Sequence, residues 1–351
     1  MNLLFSINHP AHVHFFRNAA LELGRRGHTV HITNRRKDIT DALLARYGLA
    51  STPMSTQRSG LIGMAGELAG HARRLHGLLR EWNIDMALSI GGTFIVHACA
   101  LRRIPSLVFC DTEHASLQNR ITYPFATKII TPECYRHALG SKQIRYRGYH
   151  ELAYLHPNHY TPPASAPAEL GVGAGEPYVI MRFVGWQAIH DIGHCGLSLE
   201  HKIEAVEKFS DHARVFITSE KELHGKLAEF RVRIPPEQMH DALYHASLLY
   251  GESATMASEC AVLGTPAIFI DNDGRGYTDE QEHRYGAVFN FSESPDDQAR
   301  SIQKGLELLT APGLTDTWRR TREQILNDTI DVTAWIVDLV EDWPPRNSPG
   351  A

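Results

Sequence analysis

The stretch YGESATMASECAVLGTPAIFI, residues 250–270, carries the side chains best suited to hold an anionic ligand. An apolar run at 247–250 reads as a buried strand. Gly251, Glu252 and Ser253 interrupt it, and Ala254–Leu263 follows as a helix of small residues. Gly264 closes that helix, Pro266 follows, and Ala267–Ile270 reads as the next buried strand. The turn leaves a helix N-terminus at the carboxyl end of a strand. Amides around Ser253, Ala254 and Thr255 then face outward with a partial positive charge, a setting that suits a phosphate. Just over one turn into the helix stands Glu259, a carboxylate among Met256, Ala257, Cys260 and Ala261. The plain alternative is a helix that exposes its glutamate to solvent.

Two further clusters could do chemistry. His9, His12 and His14 fill the loop between an apolar run at 3–7 and a helix pattern in which Phe15, Phe16, Ala19, Ala20 and Leu23 share a face. Histidine titrates near neutral pH, so His12 is the candidate general base, with His9 and His14 flanking it. Asp111 and Glu113, in the phrase DTEHA, follow a predicted strand at 106–110. Zinc ligation by His9, His12 and His14, or by His190, Asp191 and His194, is a second reading of the histidines. Neither spacing is a recognised site, and 21 histidines make chance clusters common, so no metal is expected.

These residues need a scaffold, and the pattern around them supplies one. Predicted strands at 29–33, Met86–Ile90, 106–110 and 128–131 alternate with helices at 39–47, Leu61–Glu81 and 93–101, which implies a parallel sheet covered on both faces. Residues 156–177 are dense in Pro, Gly and Ala without periodicity and read as a linker. Beyond it Tyr178–Phe183 opens a second sheet, continued at 214–218, 247–250, Ala267–Ile270 and Val288–Phe291. The expected organisation is a Rossmann-like domain at 1–155, the linker, a second Rossmann-like domain at 178–325, a C-terminal helix at 326–343 that packs back on the first domain, and a tail at 344–351. Two such halves predict a ligand cleft between them.

At 351 residues the chain exceeds one typical core, in keeping with two domains. The formal charge of 35 − 40 = −5 excludes a general nucleic-acid binder, which needs a basic face. Five scattered cysteines without a CxxC pair read as reduced thiols and point to the cytosol. No apolar stretch approaches the ~20 residues of a membrane span. Peripheral membrane contact remains compatible, with the apolar residues around 61–64 as one place for it.

The motifs resemble the GT-B superfamily of nucleotide-sugar glycosyltransferases and non-hydrolysing N-acetylglucosamine 2-epimerases. His12-Val13-His14-Phe15-Phe16 followed by Arg26-Gly27-His28 is similar to the opening of the glycosyltransferase family that makes peptidoglycan lipid II. Ser253-Ala254-Thr255-Met256-Ala257-Ser258-Glu259, ahead of Gly264-Thr265-Pro266-Ala267-Ile268, is similar to its donor motif. The phrases HPAHVHFFRN, DTEHA, GYHELAYL, RFVGWQAIHD and ESATMASECAVLGTPAI are similar to a bacterial and archaeal domain family of unknown function in the same clan, over most of residues 1–295. Two departures stand out. Arg182-Phe183-Val184-Gly185-Trp186 replaces the glycine-rich loop expected after the first strand of the second domain. Pro10-Ala11 replaces a Gly-Gly pair.

The resemblance implies that Glu259 holds the ribose hydroxyls of a nucleoside diphosphate sugar, with UDP as the expected carrier. It places the pyrophosphate on the amides around Ser253, Ala254 and Thr255, with Gly251 and Glu252 beside them in the donor site. Arg182 would neutralise the departing diphosphate, Glu280 and Gln281 would meet the donor sugar, and His9, His12, His14, Asp111 and Glu113 would serve the acceptor side. The implied activity is metal-independent, inverting sugar transfer to an acceptor hydroxyl in glycan or glycoconjugate biosynthesis, without a cofactor. A 2-epimerase using the same donor site, and a sugar-nucleotide-binding protein without catalysis, are the alternatives.

Overall fold

A computed structural model describes residues 1–36, 39–56, 61–173, 175–185 and 195–344. The chain forms two compact units, one of Met1–His159 with the return segment from Ile330, the other of Tyr160–Thr329. The stretch read as a linker is thus divided, with its first residues ending unit 1 and the remainder opening unit 2.

Unit 1 alternates β1 (Asn2–Ile7), α1 (Pro10–Arg25), β2 (Thr29–Arg36), α2 (Thr40–Arg46), β3 (Thr52–Thr56), α3 (Leu61–Glu81) and β4 (Met86–Ile90). It continues with α4 (Val96–Leu101), β5 (Ser106–Phe109), α5 (Ser116–Thr122), β6 (Lys128–Pro132), β7 (Gln143–Tyr146) and α6 (Leu152–Leu155). The strands order as β3-β2-β1-β4-β5-β6-β7, every pair parallel. Chain order reverses between β1 and β4, so the loops after these two strands diverge and leave a crevice at their carboxyl ends. Leu3, Leu4, Phe5 and Ile7 of β1 are wholly buried, as a central parallel strand covered on both faces requires.

Unit 2 contains α7 (Ala166–Glu169), β8 (Tyr178–Phe183), α8 (Leu199–Ser210), β9 (Arg214–Ser219), α9 (Met239–His245), β10 (Leu248–Gly251) and α10 (Ala254–Leu263). β11 (Ala267–Ile270), α11 (Gly276–His283), β12 (Val288–Phe291), α12 (Pro295–Thr310) and α13 (Leu314–Asp328) complete it. Its sheet runs β12-β11-β10-β8-β9, again parallel throughout, with the reversal between β8 and β10. Finally α14 (Val332–Glu341) belongs to unit 1, where it packs on α1 and α6. The fold is a pair of Rossmann-like parallel-sheet units of the GT-B type.

The local chemistry explains the turns. α1 starts with His9 as its cap, the ring Nδ1 accepting the Ala11 amide at 3.2 Å, and with Pro10 in the first turn where a missing N–H costs nothing. α10 starts at Ser253, whose hydroxyl accepts from the Met256 amide at 3.3 Å, and stops at Gly264 with φ +85°. Gly251 is required for a different reason. Its φ is +154°, and a Cβ there would collide with the Arg182 carbonyl on the neighbouring strand.

The strands β3 and β7 are absent from the sequence reading. Both are sheet edges with mixed polar sequences, TPMST and QIRY, and an edge strand shows neither the unbroken apolar run of a central strand nor a full complement of ladder bonds.

Candidate functional site

The β8/β10 reversal brings Arg182, at the end of β8, beside Gly251 and Glu252 at the end of β10. Glu252 donates its amide to the Arg182 carbonyl at 2.9 Å, which seats the end of β10 against β8. Its carboxylate turns inward. Oε2 accepts the Val184 amide at 2.7 Å, Oε1 accepts the Leu197 amide at 2.6 Å, and Lys202 Nζ stands 3.4 Å from Oε1 while lying over the Phe183 ring. Glu252 therefore binds the backbone just past β8, at Val184, and just ahead of α8, at Leu197. Residues 186–194, which include His190, Asp191 and His194, lie outside the described residues.

Arg182 is also engaged. Its Nη2 pairs with Glu220 at 2.7 Å and its Nη1 donates to the Thr218 hydroxyl at 3.3 Å. Glu220 in turn accepts the Gly185 amide at 3.1 Å. The guanidinium Nε is buried and makes no hydrogen bond. A ligand phosphate drawing on this arginine must therefore share it with Glu220.

α10 presents the open end. Ser253 satisfies Met256 alone, and the preceding first-turn amides of Ala254 and Thr255 have no intrahelical acceptor. Glu259 is four residues beyond Thr255, on the same face, and roughly 7–8 Å along the axis from Ala254. The Glu259 residue is only 5% exposed, and Oε1 lies 2.9 Å from Nε2 of His240 on α9, itself buried. A carboxylate can only accept, so the His240 nitrogen is the donor.

Gln281 is fully enclosed, donating from Nε2 to the Ser258 hydroxyl at 2.7 Å, and so ties α11 to α10. Glu280 pairs with Arg284 one turn along the same helix at 3.2 Å.

In unit 1 the histidine loop begins α1. His9 caps the helix, His12 Nδ1 accepts the Asn8 amide at 3.3 Å, and His14 is buried against the rings of Tyr47 and Tyr154. Asp111, just past β5, accepts from Thr112 Oγ1 at 2.9 Å and pairs with His150 Nδ1 at 2.9 Å. Burial by itself would raise the Asp111 pKa. The charge and hydrogen bond of His150, with the Thr112 hydroxyl, outweigh it and bring the carboxyl down to about 2. Glu113 is buried and accepts the Arg136 amide at 3.1 Å.

His240 and His150 escaped the sequence reading. Neither shares a spacing with its carboxylate partner; the only signals were the place of His150 in the phrase GYHELAYL and of His240 in the run Met239–Ser247, which is similar to the segment ahead of the donor motif in the lipid II glycosyltransferase family. Among the described residues no group of three or more His, Cys, Asp or Glu side chains has metal-holding geometry.

The sequence profile of DUF354, a protein family of unknown function, matches residues 1–274. The chain belongs to the DUF354 family. An uncharacterized protein of Methanocaldococcus jannaschii is 26% identical over 175 residues, 47% of this chain and 51% of its own, so the chain spans about half the length of that curated relative. Among solved structures, the UDP-GlcNAc 2-epimerase of Neisseria meningitidis bound to UDP-GlcNAc superposes with TM-score 0.70 at 11% identity, covering 98% of this chain and 100% of that one. The spinosyn rhamnosyltransferase SpnG with thymidine diphosphate gives 0.64 at 13%, covering 97% and 100%. MurG of Acinetobacter baumannii gives 0.59 at 14%, covering 98% and 100%. At these identities the likeness concerns the fold, and the described residues of this DUF354 member form two Rossmann-like units.

Proposed function

We propose that this DUF354 protein binds a nucleoside diphosphate sugar on unit 2 and transfers the sugar to an acceptor hydroxyl. The reading rests on one arrangement, the buried Glu259 carboxylate oriented by His240 and set just over a turn behind the Ser253-capped end of α10. The two oxygens of a carboxylate suit a vicinal diol, and the first-turn amides suit the pyrophosphate. Proteins of the same fold that bind UDP-GlcNAc or thymidine diphosphate support the ligand class.

In the proposed reaction the acceptor oxygen attacks the anomeric carbon, the bond from that carbon to the diphosphate oxygen breaks, and the configuration inverts. His12 takes the acceptor proton. Its Nδ1 lone pair now accepts the Asn8 amide through a long 3.3 Å contact, so proton uptake there exchanges for that contact. The helix end carries the charge of the leaving diphosphate without a metal ion.

An epimerase reading draws on Asp111 and Glu113 in unit 1 and Glu280 in unit 2, since inverting C2 calls for carboxylates near the sugar, and on the superposition with the Neisseria meningitidis enzyme. Calorimetry with UDP, thymidine diphosphate and their sugars, followed by NMR of the nucleotide sugars without acceptor, separates these. Binding without change of the sugar, then turnover once acceptors are added, supports the transferase. A C2-inverted product assigns the epimerase. Absence of binding by every nucleotide tested overturns both.

A further inference from the structure

Four of the eight exposed large hydrophobic side chains among the described residues lie on one part of unit 1, and the geometry points to this part as a docking surface for an anionic lipid bilayer. Leu117, Ile121 and Phe125 are spaced four apart along α5 and the turn that extends it, where the Phe125 amide still bonds back to Thr122 at 3.0 Å. Their exposures are 70%, 46% and 46%. The Phe125 ring lies 4.5 Å from the ring of His97 on α4, and Leu101, 75% exposed, is one turn beyond His97. The two rows therefore meet at the contact between the Phe125 and His97 rings.

Charge selects the occupant. From Met86 to Pro132 the sequence contains only two acidic residues, Asp111 and Glu113, and both are turned to partners elsewhere, His150 and the Arg136 amide. The rows are rimmed by cations instead. Arg103 and Arg120 are exposed, and Lys142 Nζ is held on the carbonyls of Tyr123 and Pro124 at 3.3 and 2.7 Å, beside Phe125. Apolar side chains at the centre with cations at the edge match the acyl boundary and the headgroups of an anionic membrane. No helix among the described residues is long and apolar enough to cross a membrane, so the contact is peripheral. The residues around 61–64, the other apolar stretch in the sequence, carry no described side chains at those positions.

The test is flotation of the intact protein with vesicles of pure phosphatidylcholine and of pure phosphatidylglycerol. The expected result is binding to phosphatidylglycerol alone, weakened by added salt. The variant L117E/I121E loses that binding by roughly tenfold or more with an unchanged melting temperature, because both positions are exposed. R103S/R120S weakens the binding and reduces its salt dependence. Failure of the wild type to bind phosphatidylglycerol, or equal binding by L117E/I121E, overturns the proposal. So does sedimentation showing a dimer that L117E/I121E disperses, which assigns the rows to a second copy. None of these outcomes bears on nucleotide binding by unit 2.

Discussion

Glu259 on α10 and His240 on α9 meet at 2.9 Å in the interior of unit 2, two side chains that no local spacing connects. The pairing keeps the carboxylate in one orientation and satisfies it in a place where an unpaired charge would be costly. It also sets the form of the most direct experiment. Glu259→Ala would strand His240 and confuse stability with binding, whereas Glu259→Gln keeps the shape and an acceptor for His240. We expect Glu259→Gln to melt within a few degrees of wild type and to bind nucleoside diphosphate at least about tenfold more weakly, through loss of the charge-assisted bonds to the ribose. Equal calorimetric affinity in the two proteins would remove Glu259 from the site.

Glu252 makes a different prediction, although it is the nearer of the two to the helix end. Its carboxylate satisfies the amides of Val184 and Leu197 and faces Lys202. Glu252→Ala leaves one buried and one part-buried backbone donor and a cation without their acceptor, a loss of about 2–4 kcal/mol. Glu252→Gln, with one acceptor oxygen, should fall between. Urea denaturation reads both, and an alanine variant within about 0.5 kcal/mol of wild type would show that the loop does not depend on this carboxylate.

The Asp111–His150 pair predicts a pH effect. The folded Asp111 carboxyl titrates near 2 instead of the usual 3.8. A depressed carboxyl contributes stability above its unfolded pKa, and that contribution disappears as pH falls from about 4 towards 2. The shift corresponds to about 2 kcal/mol. Thermal melts of wild type and Asp111→Asn should differ near neutral pH and converge at the acid end. A constant gap across that range would mean that Asp111 is not held in its charged form.

Much of this architecture can be read from residue order. Unbroken apolar runs such as Leu3–Phe5 and Ala267–Ile270 become central strands because parallel strands are covered on both faces. Ser253 and Gly264 bracket α10 at the residues the sequence suggests, since capping is decided within a few residues of chain. The polar edge strands β3 and β7 could not be read this way, because only their place beside β2 and β6 makes them strands.

The sequence by itself therefore determined the alternation of the central strands with most of their helices, the open helix end at Ser253 and the carboxylate behind it. Tertiary structure alone decided what each carboxylate does. Glu252 reaches Leu197, Asp111 reaches His150, and Glu259 reaches His240 only because the strand order brings distant turns to the same end of a sheet, or packs one helix on another. A side chain's chemistry is carried in its type, but whether it faces a ligand or a backbone amide depends on neighbours supplied by strands and helices from elsewhere in the chain.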